Sequence, residues 1–495
     1  MIPLSLSKIA TIIGGTLNEH ADPDALVTGT VEFDSRQISP GALFLCIPGA
    51  RVDGHQYAEQ AVNDGAIGVI ATKPVNVPAI MVEPLTGVES NASALENDVD
   101  GSVSAILEAV AKLARHVVKT LVAKHQLIVV GITGSSGKTS TKDLVTAVLA
   151  SQGNVVAPPG SFNNELGFPW TALRSTKDTD FLVLEMSARG IGHIRQLCQI
   201  VAPNIGVELN VGTAHLGEFG SQEAIAEAKG ELVEALPGGC YGGVALLNDD
   251  DPLVATMDTR TSARVLRFGA RPHADYQCTN IRLDDYSRPS YTLQTGGRKY
   301  EVSLAVAGRH NVYNSLAALA VGQACGVPLK QGIEALRNAT IVSGRRMEIM
   351  QLDTGLTIIN DSYNANPDSM KAAIKTLSTI AHPNDKPTRK SWAVLGLMAE
   401  LGEESIHAHQ ALAQVLEQEH IDRIITVGVE KEMQSLYKAA KALGIQARNV
   451  HTKEEAIALL EQSLADDDVV LVKASQSVGM WDIAEALRDY YDSSE

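Results

Sequence analysis

Residues 127–140 read LIVVGITGSSGKTS. A run of β-branched and apolar residues gives way abruptly to glycine, serine, lysine and threonine. The first half has the pattern of a buried strand. The second half ends in Gly137-Lys138-Thr139, with Gly131 and Gly134 before it. A standard phosphate loop is spaced G-x-x-x-x-G-K-[ST], but the residue five positions before Gly137 is Ile132. The strict spacing fails, yet the residue chemistry is retained. Downstream, TSTKDLVTAVLASQG sets Leu144, Val145, Val148 and Leu149 on one side of a predicted helix, with Gly153 as its expected stop. A strand, a glycine-rich turn and a helix N-terminus in that order offer unpaired N–H groups and the positive end of a helix dipole to an anion. On this reading Gly134, Ser135, Ser136, Gly137, Lys138, Thr139 and Ser140 cradle nucleotide phosphates. Lys138 supplies a point charge for the β- and γ-oxygens, and the Thr139 hydroxyl suits Mg²⁺. The alternative, a Gly/Ser loop with a surface lysine, does not account for the strand and helix on either side.

Outward from this loop the chain alternates apolar strands with amphipathic helices. FLVLE (181–185), NIGVELNV (204–211) and GGVALLN (242–248) are separated by IGHIRQLCQIV (191–201) and SQEAIAEAKGELVEAL (221–236). Such alternation predicts βαβ units and a mostly parallel sheet covered on both faces. Residues 276–306, with the turn Thr295-Gly296-Gly297, read instead as an antiparallel patch. From about Ser343 the alternation starts again in LTIIND, SWAVLGL, RIITVGV and DVVLVKA, a second doubly wound unit. Before the loop, VSAILEAVAKLARHVVKTLVAKH (103–125) predicts a helix, and GVESNASALENDVDGS (87–102) a linker. The expected fold class is therefore α/β, with segments 1–100, 101–342 and 343–495.

Bulk properties narrow the function. A chain of 495 residues is too long for one ordinary core. A formal net charge of −17 argues against a general nucleic-acid binder and against an anionic membrane surface. The five cysteines are scattered, without a CxxC pair, as in a reduced cytoplasmic protein. The N-terminus lacks a basic leader and a small-residue cleavage pattern, so a strand and short helix are expected there. No run of about 18 apolar residues predicts a membrane span.

Three further residues bear on chemistry. The strand FLVLE ends in Glu185, where motor and switch NTPases usually carry Asp, and no NKxD guanine-reading motif occurs. Ile225, Lys229, Val233 and Leu236 share one helical stripe. Pattern alone favours a Lys229 that snorkels to water. A buried Lys229 would have a lowered pKa and a populated neutral amine able to take up CO₂ as a carbamate. His215 follows a strand end, where α/β ligand sites form, although a lone loop histidine is by default structural. Together Glu185, His215 and Lys229 make a candidate second metal site.

The chain resembles the Mur ligase family. The resemblance is carried by GITGSSGKTSTK, GSFNNELGFP, LEMSARGIGHI, NVGTAHLGEFGS with AKGE downstream, GRHNVYNSLAA, RRMEI, NDSYNANPDSM and GLMAELGEESIHAH, in order along nearly the whole chain. It accounts for the loop spacing and implies three domains: an N-terminal one for the UDP-sugar, a central ATPase and a C-terminal Rossmann-like one. Within the family, DSYNANPDSM and MAELG are most similar to the members that join D-alanyl-D-alanine to UDP-N-acetylmuramoyl-tripeptide. The resemblance thus implies ATP and Mg²⁺ as cofactors, a cytoplasmic monomer, and an ADP-forming ligase working through an acyl phosphate. Another amino-acid ligase of the superfamily, or a scaffold with a vestigial ATPase, are the alternatives.

The resemblance also implies roles. Lys138, His215 and Lys229 are catalytic, and Lys229 is carbamylated. Thr139, Glu185, His215 and Lys229 hold metal. Asn311 and Asn314 lie near adenine, Arg346 at the γ-phosphate with Arg345 as the neighbouring alternative, and Asp361 on the ribose. Ser35 and Arg36 match UDP contacts, and Asn163 and Asn164 face substrate. Taken alone, DSR is a solvated turn, one of Asn311 and Asn314 a helix cap, and Asn163-Asn164 an Asx turn. His409 and Lys473 match family positions without an assigned role, a core or capping role being the default. Leu397, Ala474, Gln476 and Asn360 depart from the common family residues, on the acceptor side more than in the ATP machinery.

Overall fold

The computed structural model describes residues 1–49, 52–85, 95, 98–213, 216–383 and 389–492. Three larger sheets organise them, beside a two-stranded antiparallel pair of Leu4–Ser5 with Leu26–Val27. The first lies within residues 16–81: Val31–Glu32, Leu43–Leu45, Gly68–Ala71 and Ala79–Met81 run parallel, and Thr16–Leu17 closes one edge antiparallel.

The second is a nine-stranded sheet in which Ile128–Thr133 sits between Phe181–Glu185 and Ile205–Glu208, all parallel. Val244–Asn248 and Arg264–Gly269 extend it in the same sense. The strand order reverses around Ile128–Thr133, which makes its carboxyl end a topological switch point, the usual ligand crevice of open α/β sheets. The expected antiparallel patch is present: Tyr276–Leu283, Pro289–Thr295 and Arg298–Ser303 form a meander. Thr295 pairs with Arg298 around Gly296 and Gly297, whose φ values of 55° and 71° give the twist of a two-residue hairpin.

The third sheet, at the C-terminal end, pairs Thr357–Asn360, Val469–Lys473, Ser391–Leu395, Arg423–Val427 and Gln446–Val450 in parallel. Glu348–Gln351 joins one edge antiparallel. This strand and Gln446–Val450 escape a sequence reading because both are short, edge-placed and half polar.

The helix Ser102–His125 buries Ala105, Ile106, Leu113, Val117 and Leu121 in one apolar cluster that also holds Leu6, Ile9 and Ile80 of the first unit and Leu182 and Leu184 of the second. It is a shared wall, not a spacer. Most of the predicted linker, residues 87–94 and 96–97, lies outside the described residues. Its end is ordered work for the helix: the Asp98 carboxylate accepts the N–H groups of Val103 and Ser104 at 3.0 and 2.8 Å. The helix after the phosphate loop, Lys138–Ala150, ends earlier than the expected glycine stop. The N–H groups of Ser151, Gln152 and Gly153 fold onto the Val148 and Leu149 carbonyls. Gly153 serves another purpose, since a Cβ there would stand 2.5 Å from Asp180 Oδ2.

Candidate active site

The carboxyl ends of Ile128–Thr133, Phe181–Glu185, Ile205–Glu208 and Val244–Asn248 open into a cavity of about 940 Å³. Residues 135–140 of the loop line it from one side, and Arg346, Asp361, Tyr363 and Lys473 of the C-terminal unit line it from the other.

The loop is braced from the next strand. Asn210 accepts from Ser135 N through its carbonyl at 3.0 Å, accepts from Ser136 N through Oδ1 at 2.9 Å, and donates Nδ2–H to Ser136 O at 3.1 Å. Gly134 is demanded by this closeness, as a Cβ would lie 2.8 Å from Leu209 Cβ. Gly137 turns the chain into the helix at φ 82°, and a Cβ there would meet Asn314 Oδ1 at 2.9 Å. Lys138 Nζ donates to Gly134 O at 2.7 Å. Burial pushes its ammonium down to about 8, helped by Arg346 and opposed by Glu185.

Glu185 and Thr139 meet, with the Thr139 hydroxyl donating to Glu185 Oε2 at 3.1 Å. Asn163 Nδ2 donates to the same oxygen at 3.4 Å. Glu185 is fully buried, and its Oε1 has no hydrogen-bond partner. Burial raises its pKa, opposed by Arg346, Lys142 and Lys138. A buried carboxylate oxygen left bare beside a threonine hydroxyl at a phosphate loop fits Mg²⁺, a hard cation that takes oxygen ligands.

Lys229 is buried on the helix Gln222–Glu234, at 4% exposure, so the snorkelling reading is overturned. The helix packs this face into the core. Burial pushes Lys229 down to about 7, with Lys138 adding repulsion and Glu208 opposing. Glu208 itself is buried with both oxygens unpartnered, and burial holds it well above the usual carboxylate range. His215 lies outside the described residues, and among the described residues no group of three or more His, Cys, Asp and Glu side chains is placed to hold a metal.

The neighbouring arginines point in different directions. Arg346 reaches into the cleft, donating from Nη2 to Ser161 Oγ at 2.7 Å and lying over the Tyr363 ring at 4.0 Å. Arg345 turns away to Glu485 at 3.0 Å and to the face of Trp481 at 4.3 Å. Arg345 and Met347 both take left-handed backbone, φ 64° and 50°, a conformation that costs about 1–3 kcal/mol per non-glycine residue. Asp361 offsets part of this by accepting Met347 N at 2.9 Å. Its other oxygen receives Lys473 Nζ at 2.6 Å, and that buried lysine also donates to Asn364 O at 2.8 Å. Lys473, without a role by sequence, therefore fixes both Asp361 and the loop after it.

Asn311 and Asn314 line the cleft, and neither caps the helix Asn311–Ala324. Asn314 Nδ2 donates to Asn311 Oδ1 at 2.8 Å, and Asn311 Nδ2 to Ala307 O at 2.7 Å. Asn163 and Asn164 also line the cleft, but Asn164 starts the helix Gly167–Leu173, accepting Gly167 N at 2.9 Å. His409 is a core residue, accepting Met398 N at 2.8 Å on the MAELG segment. Gln476 lines the cleft, while the Leu397 carbonyl merely accepts Ser475 N at 2.9 Å. Ser35 and Arg36 are not brought to this cavity, and Arg36 pairs with Asp34 at 2.7 Å. Sequence reading missed Asn210 and Ser161. Asn210 was within reach, since it lies at the carboxyl end of the predicted strand NIGVELNV.

Residues 29–124 match the Mur ligase family, catalytic domain, residues 132–322 the Mur ligase middle domain, and residues 345–476 the Mur ligase, glutamate ligase domain. The UDP-N-acetylmuramoyl-tripeptide–D-alanyl-D-alanine ligase of Mycobacterium tuberculosis is 48% identical to this chain over 98% of each. The chain belongs to the Mur ligase family. Among solved Mur ligases, crystal structure I of MurF from Acinetobacter baumannii is 27% identical with a TM-score of 0.81, covering 98% of this chain and 99% of that one. The MurF ligase of Thermotoga maritima in complex with ADP is also 27% identical, with a TM-score of 0.75 over 95% of this chain and 99% of its own. The three-domain α/β architecture is common to them.

Proposed function

We propose that this chain is the ATP-dependent ligase that adds D-alanyl-D-alanine to UDP-N-acetylmuramoyl-tripeptide in peptidoglycan precursor synthesis. The observation that supports it most is the cleft, where a braced phosphate loop faces Arg346 and the Asp361–Lys473 pair of another unit, in a chain 48% identical end to end to ligases of that name.

In this reading the tripeptide's terminal carboxylate attacks the γ-phosphorus of ATP and ADP leaves, giving an acyl phosphate. The dipeptide amine then adds to the acyl carbon, loses a proton, and phosphate departs as the amide forms. Lys138 and Arg346 offset the repulsion between the two anions, an electrostatic contribution whose loss costs roughly 10²–10³ in rate. The loop N–H groups and the helix dipole hold the phosphates. Asp361 receives the ribose hydroxyls, and Asn311 and Asn314 read the adenine edge. Thr139 and Glu185 would hold Mg²⁺, and Glu185 with His215 and a carbamylated Lys229 would hold a second ion. Bound there, Mg²⁺ neutralises charge that develops on the transferring phosphoryl group.

Ser35 and Arg36 serve the UDP moiety, and Asn163 orients substrate at Glu185. We take the domain limits to be 1–100, 101–342 and 343–495. Among the described residues no helix is long and apolar enough to cross a membrane, in keeping with a cytoplasmic enzyme, and we take it to act as a monomer.

The test offers the purified enzyme ATP, Mg²⁺ and UDP-N-acetylmuramoyl-tripeptide with D-alanyl-D-alanine, single amino acids or no acceptor, and weighs the products. The pentapeptide product with D-alanyl-D-alanine is expected, with phosphate release dependent on that acceptor. A product with a single amino acid alone, or no acceptor-dependent release, would sink the assignment.

A further inference from the structure

One charged cluster in the protein contacts no expected substrate. Lys142 and Asp143 lie on the phosphate-loop helix, one turn beyond Lys138 and Thr139, at 2% and 6% exposure. Their side chains pair at 2.6 Å. Lys142 Nζ also donates to Pro158 O at 2.8 Å and to Ser343 Oγ at 2.9 Å. Asp143 accepts Ser343 N at 3.0 Å and the Ser343 hydroxyl at 3.2 Å. Ser343, itself buried, belongs to the segment that joins the central unit to the C-terminal one.

A second set of bonds lies a turn away. Ser161 Oγ sits 2.8 Å from Thr139 Oγ1 and accepts from Arg346 Nη2 at 2.7 Å. The helix therefore grips two strands of loop, 158–163 and 343–346, at two successive turns, i and i+3/i+4 on one face. Between Ser343 and the C-terminal sheet, Arg345 and Met347 hold left-handed backbone that non-glycine residues avoid. Such a bend persists only where its surroundings over-determine it. Its far end is held by Asp361 and by Tyr363, which donates N–H to Arg345 O at 3.0 Å. Its near end is held by the cluster.

The geometry points to Ser343, clasped by Lys142 and Asp143, as the positioning residue that keeps Arg346 aimed at the phosphate loop. Nucleotide binding and the placement of the C-terminal unit are then coupled through one helix: a shift of Lys138–Ala150 moves Arg346 with it. Released from the clasp, the bend can relax toward ordinary backbone and withdraw the guanidinium from Ser161. This rests on the reading of the cleft as the ATP site.

The experiment is a double-mutant cycle with Ser343→Ala and Arg346→Lys, following acceptor-dependent phosphate release and thermal unfolding of the full-length enzyme. Ser343→Ala removes one hydroxyl and leaves the Lys142–Asp143 pair intact. It is expected to lower kcat/KM for ATP by about 10-fold, the scale of a modest misplacement of a catalytic group, while melting is little changed. In the Arg346→Lys background the same change should cost less than about 2-fold, because residues acting as a unit are not additive. An equal loss in both backgrounds, or wild-type activity of Ser343→Ala, overturns the clasp while leaving the ATP reading intact. Unchanged activity of Arg346→Lys alone overturns both, and is the outcome that marks the failure of the site assignment.

Discussion

At the residue scale, the site is governed by how burial treats charge. Lys229 is pushed down to about 7 by burial first and by Lys138 second, so the folded protein releases its proton while the unfolded chain holds it up to the ordinary lysine range. Between about pH 7 and that range the unfolded state binds more protons, and stability rises with pH across this window. The same shift makes a neutral amine available for CO₂. Enzyme stripped of CO₂ should lose activity, and at a fixed concentration of dissolved CO₂ the activity should return faster above pH 7 than below. Lys229→Ala should be nearly inactive and partly rescued by a short carboxylate such as acetate. Full activity of the unrescued alanine variant would eliminate the carbamate. This residue also shows a limit of pattern reading. A helical stripe places Lys229 on the inner face, but whether its four-carbon stem reaches water depends on what packs above it.

At the scale of elements, the phosphate loop was legible because strand, turn and helix are contiguous and each carries its own signal. The turn's bracing was not, because Asn210 comes from a strand about 75 residues later, bonded at 2.9 Å to Ser136 N. Gly137 combines two demands, a left-handed φ and the nearness of Asn314 Oδ1 at 2.9 Å. Gly137→Ala is expected to cost about 1–2 kcal/mol from the backbone conformation alone. It should also raise KM for ATP at least ~10-fold by displacing the loop N–H groups. Thermal unfolding together with ATP titration of turnover checks this, and a variant with unchanged KM would show that the turn does not set the phosphate site.

At the scale of the molecule, the contacts across the cleft among the described residues include an exposed ion pair and close backbone approaches. Arg189 Nη2 meets Glu400 Oε1 at 3.2 Å, Arg346 meets Ser161, and a Cβ at Gly217 would come within 2.9 Å of Gly402 N. Ion pairs of this exposed kind contribute only ~0–1 kcal/mol, so the facing units are held apart or together by a small balance that a ligand can tip. ATP with Mg²⁺ should therefore slow hydrogen exchange at residues 343–347 and 399–402 as well as in the phosphate loop. Protection confined to the loop would refute closure of the C-terminal unit over the nucleotide.

The main alternation of strands and helices after residue 102, the phosphate loop, the antiparallel meander and the family were determined by local sequence, because periodicity, turn residues and contiguous motifs act over a few residues. Only the tertiary structure decided that Arg346 and not Arg345 enters the cleft, that Lys229 is buried, that Lys473 holds Asp361, and that Asn164 serves its own helix. Each depends on the direction of a side chain relative to a partner tens or hundreds of residues away. That direction is set by packing of whole units against one another, which no local pattern encodes.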